Sequence, residues 1–456
     1  MGLFDFLFGK KKQAPSFALG VVIFFKGEDN SSDLMVVGFV KGTIKVGDEI
    51  VVTKMSCVTE TPVKTTVLSL MVPEGELQEA SDRMVMARVQ DGAKLDIYKG
   101  TVLHSENAPD EQRYNAYIAA LGNAFVNEQE CKLTKEDCER LAASDISEIW
   151  QLYYKAHAEE AKQFEAKQVL LNYKRRELYK LIREKLFLLD DVYVVYSVKT
   201  DEPYLFSHAS EDEKGTLSVT MPMARLIPSS YIHNLKESFG KNENFDFKRI
   251  DNGPDKEGIR NFIRDLFIYD GIRGIQYCGE KTTILAEQLV DLPRYKGMDE
   301  KEIPVTNPNV IKWLYLARQL GKLNTKDKKR LSQVYSYEFY EALKTAKFIA
   351  PMRLHGYDQL LEDNPQTEIE PNIPFDLAMQ PGNTKELTLK VYTDWKRLRK
   401  HYGEDCKALI VTLDEQLEYY DVVINPGDHP MAAATITEEL YNEAKRKTDS
   451  IRKATP

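Results

Sequence analysis

Gly38-Phe39-Val40-Lys41-Gly42-Thr43-Ile44-Lys45-Val46-Gly47-Asp48-Glu49, followed downstream by Asp96-Ile97-Tyr98-Lys99-Gly100-Thr101-Val102-Leu103, is the stretch whose reading decides the fold. β-Branched and aromatic residues alternate here with polar ones, and glycine punctuates them, as in short barrel strands. Residues 21–25, 34–40, 49–53, 64–70 and 84–89 carry the same signature on either side. Gly, Asp and Asn separate these runs at roughly the 8–12-residue rhythm of a barrel or sandwich. Gly42 and Gly47 stand where the chain must turn with positive φ or approach another strand closely.

Gly42-x-Ile44-x-Val46-Gly47-Asp48, Thr65-x-Val67, Ala80-Ser81-Asp82 and Lys99-Gly100-Thr101-Val102-Leu103 fall in the order seen in domain two of elongation factor Tu-type translation GTPases, which residues 16–105 resemble. Ser81 stands where that family usually has Gly, and residues 56–62 read as extra loop. The resemblance implies a small β-barrel, and in that family the domain contacts the ribosome or the aminoacyl end of transfer RNA. Only residues 1–15 lie ahead of the barrel here, so it is expected to act without the GTPase that accompanies it in the family. The nearest approach to a phosphate loop is Gly274-Ile275-Gln276-Tyr277-Cys278-Gly279-Glu280-Lys281-Thr282. Glu280 separates the second glycine from Lys281 and would aim a carboxylate at the phosphates, so a strand-to-strand turn is expected.

The 456 residues carry a net charge of −9, with 43% apolar and 29% charged residues. That is a globular composition long enough for several domains. Within residues 16–105, nine Lys/Arg face twelve Asp/Glu. A net acidic module is a poor match to a phosphate backbone, which disfavours RNA or ribosome binding and excludes DNA from the expected partners. The five cysteines (Cys57, Cys131, Cys138, Cys278, Cys406) form no Cys-x-x-Cys pair. Reduced thiols in a cytoplasmic protein are expected, with neither disulfide framework nor metal site.

No apolar run approaches the ~20 residues of a membrane span. The N-terminal patch of Leu3, Phe4, Phe6, Leu7 and Phe8 beside Lys10, Lys11 and Lys12 nevertheless suits peripheral contact with an anionic membrane, through Phe4, Phe6, Phe8 and the three lysines.

From residue 106 the pattern turns helical. Thr134 with Asp137, and Ser144 with Ser147 and Glu148, are helix-start signatures. Residues 149–182 read as one long helix or two abutting ones, with Phe164 among the apolar positions. Residues 186–292 mix both periods: strands at 191–198, 215–220 and 271–277, and a helix over 254–267 with Pro254 in its first turn. Residues 293–305 form a linker. Helices at 310–320 and 325–345 then lead into a second mixed section from Phe348.

The second section echoes the first, 339–351 matching 178–190, 386–393 matching 215–222, and 420–425 matching 269–274. We read these as two copies of one α+β unit. Val391-Tyr392-Thr393-Asp394-Trp395, the charged helix 396–402 and Asp421-Val422-Val423-Ile424-Asn425-Pro426-Gly427 resemble the SseB family of bacterial proteins. The resemblance spans residues 306–456 and, more divergently, 106–292. It implies a cytoplasmic protein without established catalytic residues or cofactor.

The expected architecture is therefore a tail (1–15), an all-β barrel (16–105), a helical segment with a first α+β unit (106–292), a linker (293–305) and a second α+β unit (306–456). Tyr392, Thr393, Asp394, Trp395, Asn425 and Pro426 are the candidate partner-binding residues. Strand-end polar residues also cap helices, Asn-Pro-Gly is also a turn, and Trp395 also suits a core. The seven histidines have no carboxylate or thiol at a telling spacing, and no nucleophile–base or metal pattern emerges. The expected function is non-enzymatic binding of other proteins or macromolecular assemblies. The alternatives are a translation-associated factor using the barrel, and an enzyme whose site is dispersed in sequence.

Overall fold

The computed structural model describes residues 15–26, 32–55, 63–127, 131–211, 213, 217–232, 244–299, 302–354, 375–427 and 429–454. The aromatic–lysine patch of Phe4, Phe6, Phe8 and Lys10 to Lys12 lies outside these residues, as does Cys57. The chain divides into two compact units, Met1–Leu188 with Pro228–Glu237, and Leu189–Ile227 with Ser238–Pro456.

The first unit opens with β1 (Phe17–Lys26), β2 (Leu34–Lys45), β3 (Glu49–Thr53), β4 (Val63–Val72), β5 (Gly75–Leu77), β6 (Glu79–Ser81), β7 (Met84–Val89) and β8 (Val102–His104). Hydrogen bonding runs β1–β8–β3–β4–β7–β2, and β2 pairs back to β1. Every pairing in this ring is antiparallel, so six strands close into a barrel without a free edge. β5 and β6 are short additions on β4 and β2. Phe17, Leu19, Val21, Val36, Val40, Ile50, Val67, Leu70, Val89 and Leu103 fill the interior.

The motif glycines serve the geometry read for them: Gly42 and Gly47 have φ of +86° and +87°. Gly20 has a different purpose. A Cβ there would stand 2.1 Å from the Ala116 carbonyl oxygen, so α1 (Asp110–Leu121) packs directly on β1 at a residue without a side chain.

Three helices follow: α2 (Lys135–Arg140), α3 (Ala143–Gln163) and α4 (Glu165–Leu186). Thr134 and Asp137 form the capping box expected at the start of α2. The second start signal sits differently. Ala142 occupies the N-cap of α3, Asp145 bonds back to its backbone N–H, and Ser144 lies inside the helix. Residues 149–182 are two helices, broken at Phe164, whose side chain is 58% exposed instead of lying on the apolar face.

In the second unit the first mixed section comprises β9 (Asp191–Ser197), β10 (Glu202–Pro203), the hairpin β11 (Ala209–Glu211) and β12 (Leu217–Val219), β13 (Met223–Pro228), β14 (Phe245–Asp251), α5 (Gly258–Ile268), β15 (Gly274–Tyr277), β16 (Thr283–Leu285) and the short α6 (Ala286–Leu289). Pro254 precedes α5 in a turn and is not in its first turn, a correction to the sequence reading. Next come α7 (Pro308–Gln319) and α8 (Lys326–Leu343). The second section adds β17 (Lys347–Leu354), β18 (Phe375–Leu377), β19 (Met379–Pro381), β20 (Leu387–Val391), α9 (Trp395–Tyr402), β21 (Lys407–Thr412), α10 (Leu413–Gln416), β22 (Asp421–Ile424), β23 (Ala434–Ile436) and α11 (Glu438–Ala454).

The two sections pair their strands in one pattern. β14 lies antiparallel to β9, β9 neighbours β13, β13 runs parallel to β15, and β15 antiparallel to β16. Likewise β21 is antiparallel to β17, an Ile349–Tyr392 bridge joins β17 to the end of β20, β20 runs parallel to β22, and β22 antiparallel to β23. Two of the sequence echoes are displaced from these equivalences. Residues 215–222 include β12, whereas the counterpart of β20 is β13. Residues 420–425 correspond to 273–278, four positions on from 269–274, because Cys278 and Asn425 each follow the second strand of the parallel pair with positive φ (57° and 48°). Short β-prone runs resemble one another in composition, so a slip of this size leaves the sequence match almost unchanged.

Candidate functional site

The parallel pair β20 and β22 places its two carboxyl ends side by side, at Val391 and Ile424. Residues just past such ends form the usual ligand crevice of a sheet with parallel strands. All six sequence-selected residues, Tyr392, Thr393, Asp394, Trp395, Asn425 and Pro426, fall there.

Their side chains mostly bind one another. The Thr393 backbone N–H donates to Asn425 Oδ1 at 2.9 Å, and Asn425 Nδ2 donates to Thr393 Oγ1 at 3.0 Å. Thr393 Oγ1 donates to Asp394 Oδ2 at 2.8 Å, and Tyr392 OH donates to the Pro426 carbonyl at 3.0 Å. Asn307 Nδ2 donates to the Thr393 carbonyl at 2.9 Å. Asp394 caps α9 by accepting from the Arg397 backbone N–H at 2.9 Å. Thr393 and Asp394 are fully buried and Tyr392 nearly so. Trp395 is half-buried against the cluster of Val305, Ile349, Tyr392 and Leu398, so it belongs to packing.

Sequence reasoning missed the residue at the centre. Arg397 Nη1 donates to Asp394 Oδ2 at 2.7 Å, its Nη2 donates to Asp270 Oδ1 at 2.5 Å, and Glu202 Oε1 lies 3.7 Å from Nη2. One guanidinium thus joins carboxylates from β10, the end of α5 and the start of α9, and ties the first mixed section to the second. The Arg397 side chain is only 12% exposed, and its Nε has no hydrogen-bond partner among the described residues. Burial pushes the Asp270 carboxyl up to about 7, against the opposing pull of Arg397 and with help from Glu202. Against the cost of burial, the Tyr315 hydroxyl and then the carboxylates of Asp394, Glu202 and Asp270 hold Arg397 in its charged form. In sequence these residues are ordinary surface charges separated by long intervals, and no local pattern marks them.

Beside this joint is a crevice with a cavity of about 50 Å3, lined on one side by Thr200, Asp201 and Glu202 and on the other by residues including Arg397, Lys400, His401, Asn425 and His429. Thr200 is buried, and its hydroxyl has no hydrogen-bond partner among the described residues. His429 Nε2 lies 3.7 Å from Asp201 Oδ2, so one histidine does meet a carboxylate, which the linear spacing concealed. A space of this size suits one side-chain head group or a few waters, not a nucleotide.

Elsewhere, residues 274–282 form β15 and the turn that leads into β16, the expected strand-to-strand turn. Cys131 is buried, and Cys138, Cys278 and Cys406 are half-buried. Among the described residues, no group of three or more His, Cys, Asp or Glu is placed to hold a metal ion. Likewise no helix among them is long and apolar enough to cross a membrane.

Comparison with solved structures returns translation elongation factor SelB from Methanococcus maripaludis, as the apo form and as the complex with the GTP analogue GppNHp. Each is 24% identical to this chain, with a TM-score of 0.18, over 20% of this chain and 19% of SelB. The chain therefore spans about a fifth of the length of these structures. No protein-family model and no curated protein matches the chain. The barrel accordingly stands on its own strand pairing.

Proposed function

We propose that this chain is a non-enzymatic binding protein that docks onto other proteins, with the crevice at the carboxyl ends of β20 and β22 as its recognition site. The observation that carries this reading is the division of labour there. Thr393, Asp394 and Asn425 hold the strand ends together through mutual hydrogen bonds, while Lys400, His401, His429 and Asp201 line the crevice. A rim with both charge signs around a small cavity suits a polar side chain or chain end presented by a protein partner. Affinity capture with the intact protein, compared with a Lys400→Glu/His429→Ala variant, tests it. Loss of the captured set in the variant, with unfolding behaviour unchanged, supports the reading; an identical set sinks it.

A second reading, favoured by the closed barrel with its motif glycines at positive φ, is a translation-associated factor that contacts the ribosome or transfer RNA without GTPase activity. The acidic balance of residues 16–105 weighs against it. It requires salt-sensitive co-sedimentation with ribosomal particles. Peripheral membrane contact through Phe4, Phe6, Phe8, Lys10, Lys11 and Lys12 is a separate element of the proposal. Replacing the three phenylalanines with serine should then abolish recovery with anionic vesicles.

A further inference from the structure

Three carboxylates, Glu202, Asp270 and Asp394, converge on the single guanidinium of Arg397 at the joint between the two mixed sections. Their side chains are 26%, 10% and 0% exposed. Asp270 also faces Lys396 from α9, Tyr315 from α7 and Tyr196 from β9, the adjacent Tyr269 interacts with Asp265 and Asp394, and Lys312 packs beside Gly271. Lys396 Nζ is bound to Asp265 at 2.6 Å, so Arg397 is the cation directly engaged with all three carboxylates. With every carboxyl ionised the group holds two more negative than positive charges, which is costly away from water. Taking up one proton is the simplest relief. Asp394 accepts hydrogen bonds from the Arg397 backbone, the Arg397 side chain and Thr393, and Glu202 is the most exposed of the three, which leaves Asp270 to take the proton.

We propose that Glu202, Asp270, Asp394 and Arg397 form a proton-operated latch between the two mixed sections, closed when Asp270 holds a proton and loosened when it releases it. The functional consequence rests on the crevice being the binding site, because Arg397 is both the centre of the latch and part of the crevice wall. Burial places the Asp270 transition near neutrality, at about 7. Its carboxyl titrates well below that in an unfolded chain. The native joint therefore holds a proton that the unfolded chain has already lost, and this stabilisation disappears as pH rises through about 7.

Hydrogen exchange of the intact protein at pH 6 and pH 8, corrected for intrinsic exchange rates, tests the latch without any partner. Amides of residues 200–202, 266–271 and 394–402 should exchange about tenfold faster at pH 8 in the wild type, one pKa unit of linkage being a tenfold change. In Asp270→Asn that pH response should vanish, while the barrel strands exchange as in the wild type. In Glu202→Gln the midpoint should move to lower pH, because removing a neighbouring negative charge eases ionisation of Asp270. A wild-type response equal at both pH values, a response that survives Asp270→Asn, or an unmoved midpoint in Glu202→Gln overturns the proposal. Loss of the latch would leave the capture experiment to judge the crevice, and a partnerless crevice would leave the exchange result standing.

Discussion

Arg397 Nη2 donates to Asp270 Oδ1 across 2.5 Å, joining residues 127 positions apart in the chain. The contact connects two sections whose strands pair in one pattern. It also places a buried cation among carboxylates that depend on it.

Removing the cation should therefore cost more than removing one acid. Arg397→Met leaves Asp394 and Asp270 buried without their counter-ion and should destabilise by about 3–5 kcal/mol. Asp270→Asn keeps the shape and lowers the excess negative charge, so it should cost under about 1.5 kcal/mol at pH 8. Urea unfolding followed by a probe in the second unit checks the order; equal losses would show that the guanidinium is not the organising charge.

Asn425 combines two demands, a φ of +48° and hydrogen bonds to Thr393. Asn425→Gly retains the backbone freedom but loses the bonds, and should cost about 1–3 kcal/mol. Asn425→Ala loses both and should cost more. Chemical denaturation of both variants gives the comparison, and an Ala variant as stable as the Gly variant would remove the backbone contribution.

The two barrel glycines should respond differently to alanine. At Gly20 the new methyl meets the Ala116 carbonyl at 2.1 Å, so α1 must shift, at a cost of roughly 1–3 kcal/mol or more. At Gly47 the new methyl meets no atom within 4 Å among the described residues beyond its chain neighbours, leaving only the strain of positive φ, on the order of 1 kcal/mol. Thermal unfolding of Gly20→Ala and Gly47→Ala should rank them in that order.

Glu148 in α3 is buried, and desolvation pushes its carboxyl up to about 7 despite a 3.5 Å contact from Tyr114 OH. The native state holds this proton between roughly pH 4.5 and 7 while the unfolded chain does not, so the contribution is complete below that window and lost above it. First-unit stability should therefore fall from pH 5 to pH 8, by up to roughly 3 kcal/mol. Glu148→Gln should flatten the dependence; a slope that persists would assign it to another group.

Much of the barrel was legible because each strand carries its own alternation, and the two motif glycines needed only local conformational reasoning. The short β5, β6 and β8 were not seen as separate strands, since three residues are too few to show a period. β14 and β21 were also missed. Both follow polar or charged stretches, and each is a strand because β9 or β17 offers it a hydrogen-bonding edge. The candidate residues at 392–395 and 425–426 came from the motifs quoted for the SseB resemblance, with turn and cap chemistry as the plainer reading beside it. Their neighbours Arg397, Asp270, Glu202 and His429 were not, because nothing near them in sequence differs from a solvated face.

The opening stretch, Gly42 to Asp48, therefore determined a turn, two positive-φ glycines and the β character of its surroundings, all of them properties of neighbouring residues. Only the tertiary structure decided that β1 and β2 close the ring, that Gly20 receives a helix, and that one arginine serves three carboxylates. Backbone conformation is set within a few residues, whereas the energy of a charge depends on which distant groups exclude water from it. The chain order of this protein spells out the first and leaves the second to folding.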